Sequence, residues 1–107
     1  MPEPTSDKLQ QLFKLLSREP QDSFLLYGIG MEYKKLGAAE KAIEHFDRVI
    51  QNDPAYCYAY YQRAQVCEQI GKTEEARRSY EAGIAAAKKA GDAHAQSELE
   101  SALAMME

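Results

Sequence analysis

Interrupters of regular structure are scarce in this 107-residue chain, which has four prolines, six glycines and no tryptophan. With 45% hydrophobic residues, that scarcity argues against a disordered chain and for one small domain with a core. No apolar run is long enough to span a membrane, and the opening MPEPTSDKLQ holds no apolar signal core. Neither a membrane span nor a secretory signal is expected. Basic excess is lacking too. The net charge is −4, and the cationic group Arg77, Arg78, Lys88 and Lys89 is offset by Glu74, Glu75 and Glu81. A nucleic-acid partner is not expected, because such binders carry a basic face. The two cysteines, Cys57 and Cys67, stand ten residues apart. On one helix they would be about 15 Å apart along the axis, too far for a disulfide. Buried free thiols in a soluble cytoplasmic protein are the expectation.

Catalytic signatures are missing as well. The chain has no HExxH, no glycine-rich phosphate loop, and no serine or cysteine nucleophile with a credible base. His45 and His94 fall on expected polar helix faces and read as solvated histidines. Glu40, Glu44 and Asp47 lie at i, i+4 and i+7 and read as solvated carboxylates. No enzymatic activity, metal or cofactor is expected.

What is present is helical periodicity. Residues 1–5 read as a flexible leader, and 6–107 as a single domain. Thr5 or Ser6 can cap a first helix over 6–19, with Leu9, Leu12, Phe13, Leu15 and Leu16 as its apolar stripe and Pro20 as its stop. Asp22 is placed to cap the next helix, and Gly37 to end it. A partner helix follows, with Ala42, Ile43, Phe46, Val49 and Ile50 inward, closed by Asp53-Pro54. Tyr56, Tyr58 and Tyr60 alternate as in a strand. Yet the stretch from Ala55 to Gln69 has no glycine or proline, and Tyr61, Ala64 and Cys67 continue at helical spacing, so a helix ending at Gly71 is expected. Thr73 can cap its partner, which turns Ala76, Tyr80, Gly83, Ile84 and Ala87 inward. Gly91 breaks that helix, and Asp92 caps a last one with Ala95, Leu99, Ala102, Leu103 and Met106 on one face.

The chain repeats itself at a spacing of 34. Phe24 meets Tyr58, Tyr27 meets Tyr61, Gly30 meets Ala64, Gly37 meets Gly71, Ala42 meets Ala76 and Phe46 meets Tyr80. That period, with helix–turn–helix content, marks a stacked helical repeat. At these residues the chain resembles the tetratricopeptide repeat (TPR) family, whose pattern is W-x2-L-G-x2-Y, then A-x3-F, then P. The first repeat matches at Leu26, Ile29, Gly30, Tyr33, Ala42, Phe46 and Pro54. The second matches at Tyr60, Ala64, Ala76 and Tyr80, and departs at Arg63, Cys67 and Lys88, where Leu, Tyr and Pro are expected. The resemblance implies an all-α superhelix of stacked antiparallel helix pairs, about six helices in all: a half-repeat helix over 6–19, repeats over 22–54 and 55–90, and a capping helix over 92–106.

On a helical wheel, Phe24, Tyr27 and Met31 lie about 100 to 160° round from the inward face of Leu26, with Lys34 and Lys35 along the continuation. Tyr58, Tyr61 and Gln65, with Gln62 nearby, hold the same place in the second repeat. In the family this face lines a concave groove that binds peptides or partner proteins. The resemblance therefore implies a non-catalytic interaction module whose groove is formed by Phe24, Tyr27, Met31, Lys34, Lys35, Tyr58, Tyr61, Gln62 and Gln65. Two alternatives stand beside it. The same face, or an exposed edge of the stack, could join two copies into a homodimer. The aromatic stripe could instead be covered internally by a terminal helix. The Lys/Asn/Arg clamp by which some family members hold acidic chaperone tails is not expected, because Tyr27, Met31, Gln62 and Gln65 occupy that face.

Overall fold

The structure, a computed structural model, describes residues 4–106; the expected leader falls partly on residues 1–3, outside the described residues. Six helices follow one another: α1 (Asp7–Arg18), α2 (Ser23–Lys35), α3 (Ala39–Asn52), α4 (Cys57–Gln69), α5 (Thr73–Ala90) and α6 (Ala93–Ala104). The tyrosine-rich alternating stretch is helical, in α4, and the described residues contain no strand.

Local chemistry sets the helix ends. Ser6 Oγ accepts from the amide of Leu9, Asp22 Oδ1 from that of Leu25, and Asp92 Oδ1 from that of Ala95. Each satisfies an amide that the first helical turn leaves without a partner. Thr73 does not cap α5 as expected. The tight turn through Gly71 puts Lys72 at the N-cap, Thr73 becomes the first helical residue, and no side-chain bond closes that end. At the other end of the helices one arrangement occurs three times. Gly37, Gly71 and Gly91 have φ of 77°, 79° and 70°. After each, the next amide reaches back to a carbonyl five residues earlier: Ala38 to Tyr33, Lys72 to Cys67 and Asp92 to Ala87. This left-handed glycine turn reverses the chain and makes consecutive helices antiparallel.

Small residues bring the paired helices together. Ala42, Ala64 and Ala76 are fully buried, and Gly30 faces the ring of Phe46. One core cluster joins Leu9 and Leu16 of α1 to Leu26, Ile29 and Tyr33 of α2, Phe46 and Val49 of α3, and Ala59 and Val66 of α4. A second joins Cys57 and Ala64 of α4, Tyr80 and Ala87 of α5, and Ala95 and Leu99 of α6. Cys57 and Cys67 are buried free thiols, whose pKa burial raises.

Gly28 contrasts with Gly30. It sits inside α2, and an added Cβ would meet only the Leu12 methyls, at 3.7 and 3.8 Å. Gly28→Ala should therefore stabilise the domain by about 0.5–1 kcal/mol, through helix propensity and a less entropic unfolded chain. Thermal unfolding checks this as a rise in Tm of about 4 °C.

Two expectations for the N-terminal end need correction. The stripe of α1 is narrower than its periodicity indicated. Leu15 is 51% exposed and Phe13 38% exposed, because α1 packs on α2 and no described helix lies on its outer side. His45, expected in solvent, is 5% exposed. The Phe13 ring comes across from α1 to within 5.9 Å of the imidazole, and Tyr33 lies at 5.3 Å. Nδ1 of His45 donates to the Lys41 carbonyl at 2.8 Å.

Burial lowers the His45 pKa, partly opposed by that hydrogen bond. The unfolded chain takes up a proton near the ordinary value of 6.5, which the native imidazole resists. Stability should thus be fully present above about pH 6.5 and decline as the pH falls through the window down to the lowered native value. Tm measured between pH 7.5 and 5.5 should fall more in the native chain than in His45→Gln. The exposed His94 remains in both and serves as the internal control.

Candidate functional site: the concave face

Helices α2, α4 and α6 form one layer in which neighbouring backbones approach closely, whereas α1, α3 and α5 pack on that layer with their backbones further apart, α1 meeting α3 through the Phe13 and His45 rings. The stack therefore curves toward α2, α4 and α6, and their free faces form its concave side. On the outer side, the opening between α3 and α5 is bridged by Arg63 of α4. Its Nε lies 2.6 Å from Asp47 Oδ1, its Nη1 donates to Ser79 Oγ at 2.7 Å, and Glu75 lies 4.0 Å from Nη2. Arg63 replaces the leucine of the family pattern, and the network explains the departure. Asp47, expected to be solvated, is half-buried in this cluster.

The aromatic residues of the concave face sit directly above the core rings. Tyr27 packs on Phe46 with ring centres 5.7 Å apart, and Tyr61 packs edge-on against Tyr80 at 6.0 Å. The two pairs are the same pair shifted by one repeat. Tyr56, which the wheel did not single out, lies 5.0 Å from Tyr27 and extends the row. Tyr58 and Met31 are half-buried against the two core clusters. Phe24, in the first turn of α2, is 74% exposed.

A polar network crosses from α2 to α4 over these rings. Lys34 Nζ donates to Gln62 Oε1 at 2.6 Å and to Gln65 Oε1 at 3.0 Å. Gln65 Nε2 donates in turn to the Tyr61 hydroxyl at 3.1 Å, and the Gln62 side chain lies beside Tyr27. Burial lowers the Lys34 pKa and raises that of Tyr27. Of the nine residues expected at the groove, Tyr27 and Tyr61 stand on core rings, Lys34, Gln62 and Gln65 form the network with Tyr61, Met31 and Tyr58 are half-buried against the core, and Phe24 is exposed. The ninth, Lys35, is exposed at the end of α2.

Sequence reasoning missed the wall that α6 contributes. Between α4 and α6 lies a cleft of about 510 Å³, bounded by Tyr61, Glu68 and Tyr80 on one side and by Glu98, Ser101 and Met105 on the other. Tyr80 donates its hydroxyl to Glu68 Oε2 at 2.6 Å, and burial together with that carboxylate holds its phenol well above the ordinary value. The last helix read only as a cap; in the fold its Glu98 and Ser101 border this cleft. The helix matches neither repeat residue by residue, so no register pointed there.

Among the described residues no group of three or more His, Cys, Asp and Glu could hold a metal ion, and no helix is long and apolar enough to cross a membrane.

Two stretches match family models described as tetratricopeptide repeat, residues 25–56 and 45–78. A TPR repeat-containing protein of Pseudomonas aeruginosa is 31% identical over 91 residues, which span 85% of this chain and 87% of the relative. A tetratricopeptide repeat domain protein from Salinibacter ruber, solved by solution NMR, is 31% identical with a TM-score of 0.77, covering 82% of this chain and 89% of that one. A Bordetella parapertussis protein shares the fold at 24% identity, with a TM-score of 0.81 over 95% of this chain and 89% of its own. With helix pairs, glycine turns and inward residues in place, the chain belongs to the tetratricopeptide repeat family, whose domains are generally non-catalytic protein–protein interaction modules.

Proposed function

We propose that this domain holds a segment of a partner protein along the concave face formed by Phe24, Tyr27, Met31, Lys34, Tyr58, Tyr61, Gln62 and Gln65, with Lys35 at its rim. One observation carries the reading: the face is organised in advance. Tyr27 and Tyr61 are fixed from beneath by Phe46 and Tyr80, and Lys34 ties the Gln62 and Gln65 amides across two helices, with Gln65 held in turn to the Tyr61 hydroxyl. Rings and polar groups already ordered lose little freedom on binding. The buried free thiols favour a reducing, cytoplasmic setting.

Because Tyr27 and Tyr61 rest on core rings, truncating them would disturb the fold together with the surface. Phe24 is the cleaner probe. With a partner captured from cells and then purified, Phe24→Ser should weaken the affinity at least tenfold, about 1.4 kcal/mol, while leaving Tm unchanged. Equal affinities for the two proteins would sink the groove reading.

A second reading, self-association, draws on a different place. Leu15 stands one repeat before the fully buried Val49, yet it is 51% exposed beside Phe13 on the outer edge of α1. Such an edge can stack against a second copy. Light scattering after size exclusion separates the readings: a dimer that Leu15→Glu dissociates places the contact at the edge, and one that Phe24→Ser dissociates places it in the groove.

A further inference from the structure

The concave face has two electrostatically different halves. Between α2 and α4 the polar network centres on a cation, Lys34, held by two neutral amide oxygens. Between α4 and α6 the cleft is bounded by two carboxylates, Glu68 and Glu98, with no lysine or arginine among its lining residues. Each carboxylate is oriented by a single partner. Glu68 Oε2 accepts from the Tyr80 hydroxyl, and Glu98 Oε1 lies 2.6 Å from His94 Nε2. The other oxygen of each, Oε1 of Glu68 and Oε2 of Glu98, accepts no hydrogen bond from the described residues. Beside them stand the half-buried ring of Tyr61 and the Met105 side chain, 85% exposed.

We propose that the α4–α6 half of the groove receives an arginine or lysine side chain of the partner segment, its cationic head on Glu68 and Glu98 and its aliphatic stem along Tyr61 and Met105. The inference rests on the groove reading above and adds the chemistry of the occupant to it. Charge complementarity carries it. Two oriented carboxylates with free oxygens in a concave site favour a donor-rich cation, and arginine presents a planar set of donors suited to them. An aromatic ring adds attraction for the cation and contact for the stem. Lys34, on the far side of Gln65, repels the same group, so the segment has a preferred direction with its basic residue toward α6.

The test is a ¹⁵N NMR titration of the full chain with three capped heptapeptides, Ac-Ala-Leu-Ala-X-Ala-Leu-Ala-NH₂, where X is arginine, its uncharged isostere citrulline, or glutamate. The arginine peptide should move the amide signals of Tyr61, Glu68, Glu98 and Ser101 saturably, at least tenfold more tightly than the citrulline peptide. Raising the salt to about 0.5 M should weaken it. The double variant Glu68→Gln/Glu98→Gln should lose that preference while keeping the native Tm, since the amide oxygen introduced at position 68 can still accept from Tyr80. If citrulline or glutamate binds the same residues as well as arginine does, the groove stands and the cationic occupant falls. If none of the peptides moves groove signals, both fall. Shifts of these signals with protein concentration alone would assign the cleft to a second copy of the chain and overturn the proposal.

Discussion

Gly30→Ala should destabilise the domain by about 2 kcal/mol through overpacking, although alanine is the better helix former. A Cβ at position 30 would lie 2.6, 2.9 and 3.0 Å from three atoms of the Phe46 ring. That ring has no exposed surface, and Tyr27 packs against it, so it cannot turn aside. Overpacking a well-filled core costs about 1–3 kcal/mol or more, and helix propensity returns only about 1 kcal/mol of it. For a domain of this size the net loss corresponds to a Tm lower by about 10 °C. The same substitution two residues earlier, at Gly28, is expected to raise Tm. Opposite signs on one helix separate packing from propensity, which is common to both sites. In a Phe46→Leu background the Gly30→Ala penalty should shrink, and a double-mutant cycle measures by how much. An undiminished penalty would mean that the close approach of α2 and α3 is not its cause.

Gly83→Ala should cost a similar amount, about 2 kcal/mol of overpacking, and should release α6 first. Gly83 lies where three helices meet. An added Cβ would stand 2.8 Å from the Tyr60 Cβ and 3.0 and 3.2 Å from the Leu99 methyls. The Tyr60 Cβ is attached directly to the α4 backbone and has no torsion by which to withdraw. Leu99 is buried, so relief requires α6 to move away. Helix α6 is held only by α4 and α5, without a further helix beyond it among the described residues. In a stacked array such a terminal element opens more easily than the interior. Hydrogen exchange of the variant should show the amides of Ala93–Ala104 losing protection while those of α2 and α3 keep it. Uniform loss across all six helices would contradict the placement of Gly83 as a local junction.

These two glycines also show what could be read in advance. Gly30 belongs to the repeat pattern, and its role against Phe46 followed from the spacing of small and large residues. The glycine stops at Gly37, Gly71 and Gly91, the caps at Asp22 and Asp92, and the equivalence of Tyr27 with Tyr61 were legible for the same reason. Each depends on a few residues close in sequence, or on a period of 34. What was not legible depends on which distant element arrives. His45 looks polar on the wheel of α3, and only the crossing of Phe13 from α1 buries it. Leu15 looks like core, and only the absence of a described helix outside α1 exposes it. Arg63 breaks the family pattern, and its partners Asp47 and Ser79 each stand 16 residues away, on two other helices. The carboxylate cleft needed the docking angle of α6, a helix without a repeat motif.

The proposed function stands on the concave face, and the most direct measurement places a photoreactive group there. Phe24 replaced by p-benzoylphenylalanine keeps an aromatic side chain at a site that is already exposed, so the fold should be unaffected. Arg78, exposed on the outer side near the Arg63 cluster, replaced in the same way, gives the control. Irradiation in extracts of the source cells should cross-link a distinct partner protein from position 24 and not from position 78. Cross-linking confined to position 78, or from position 24 only to a second copy of this chain, would contradict the assignment.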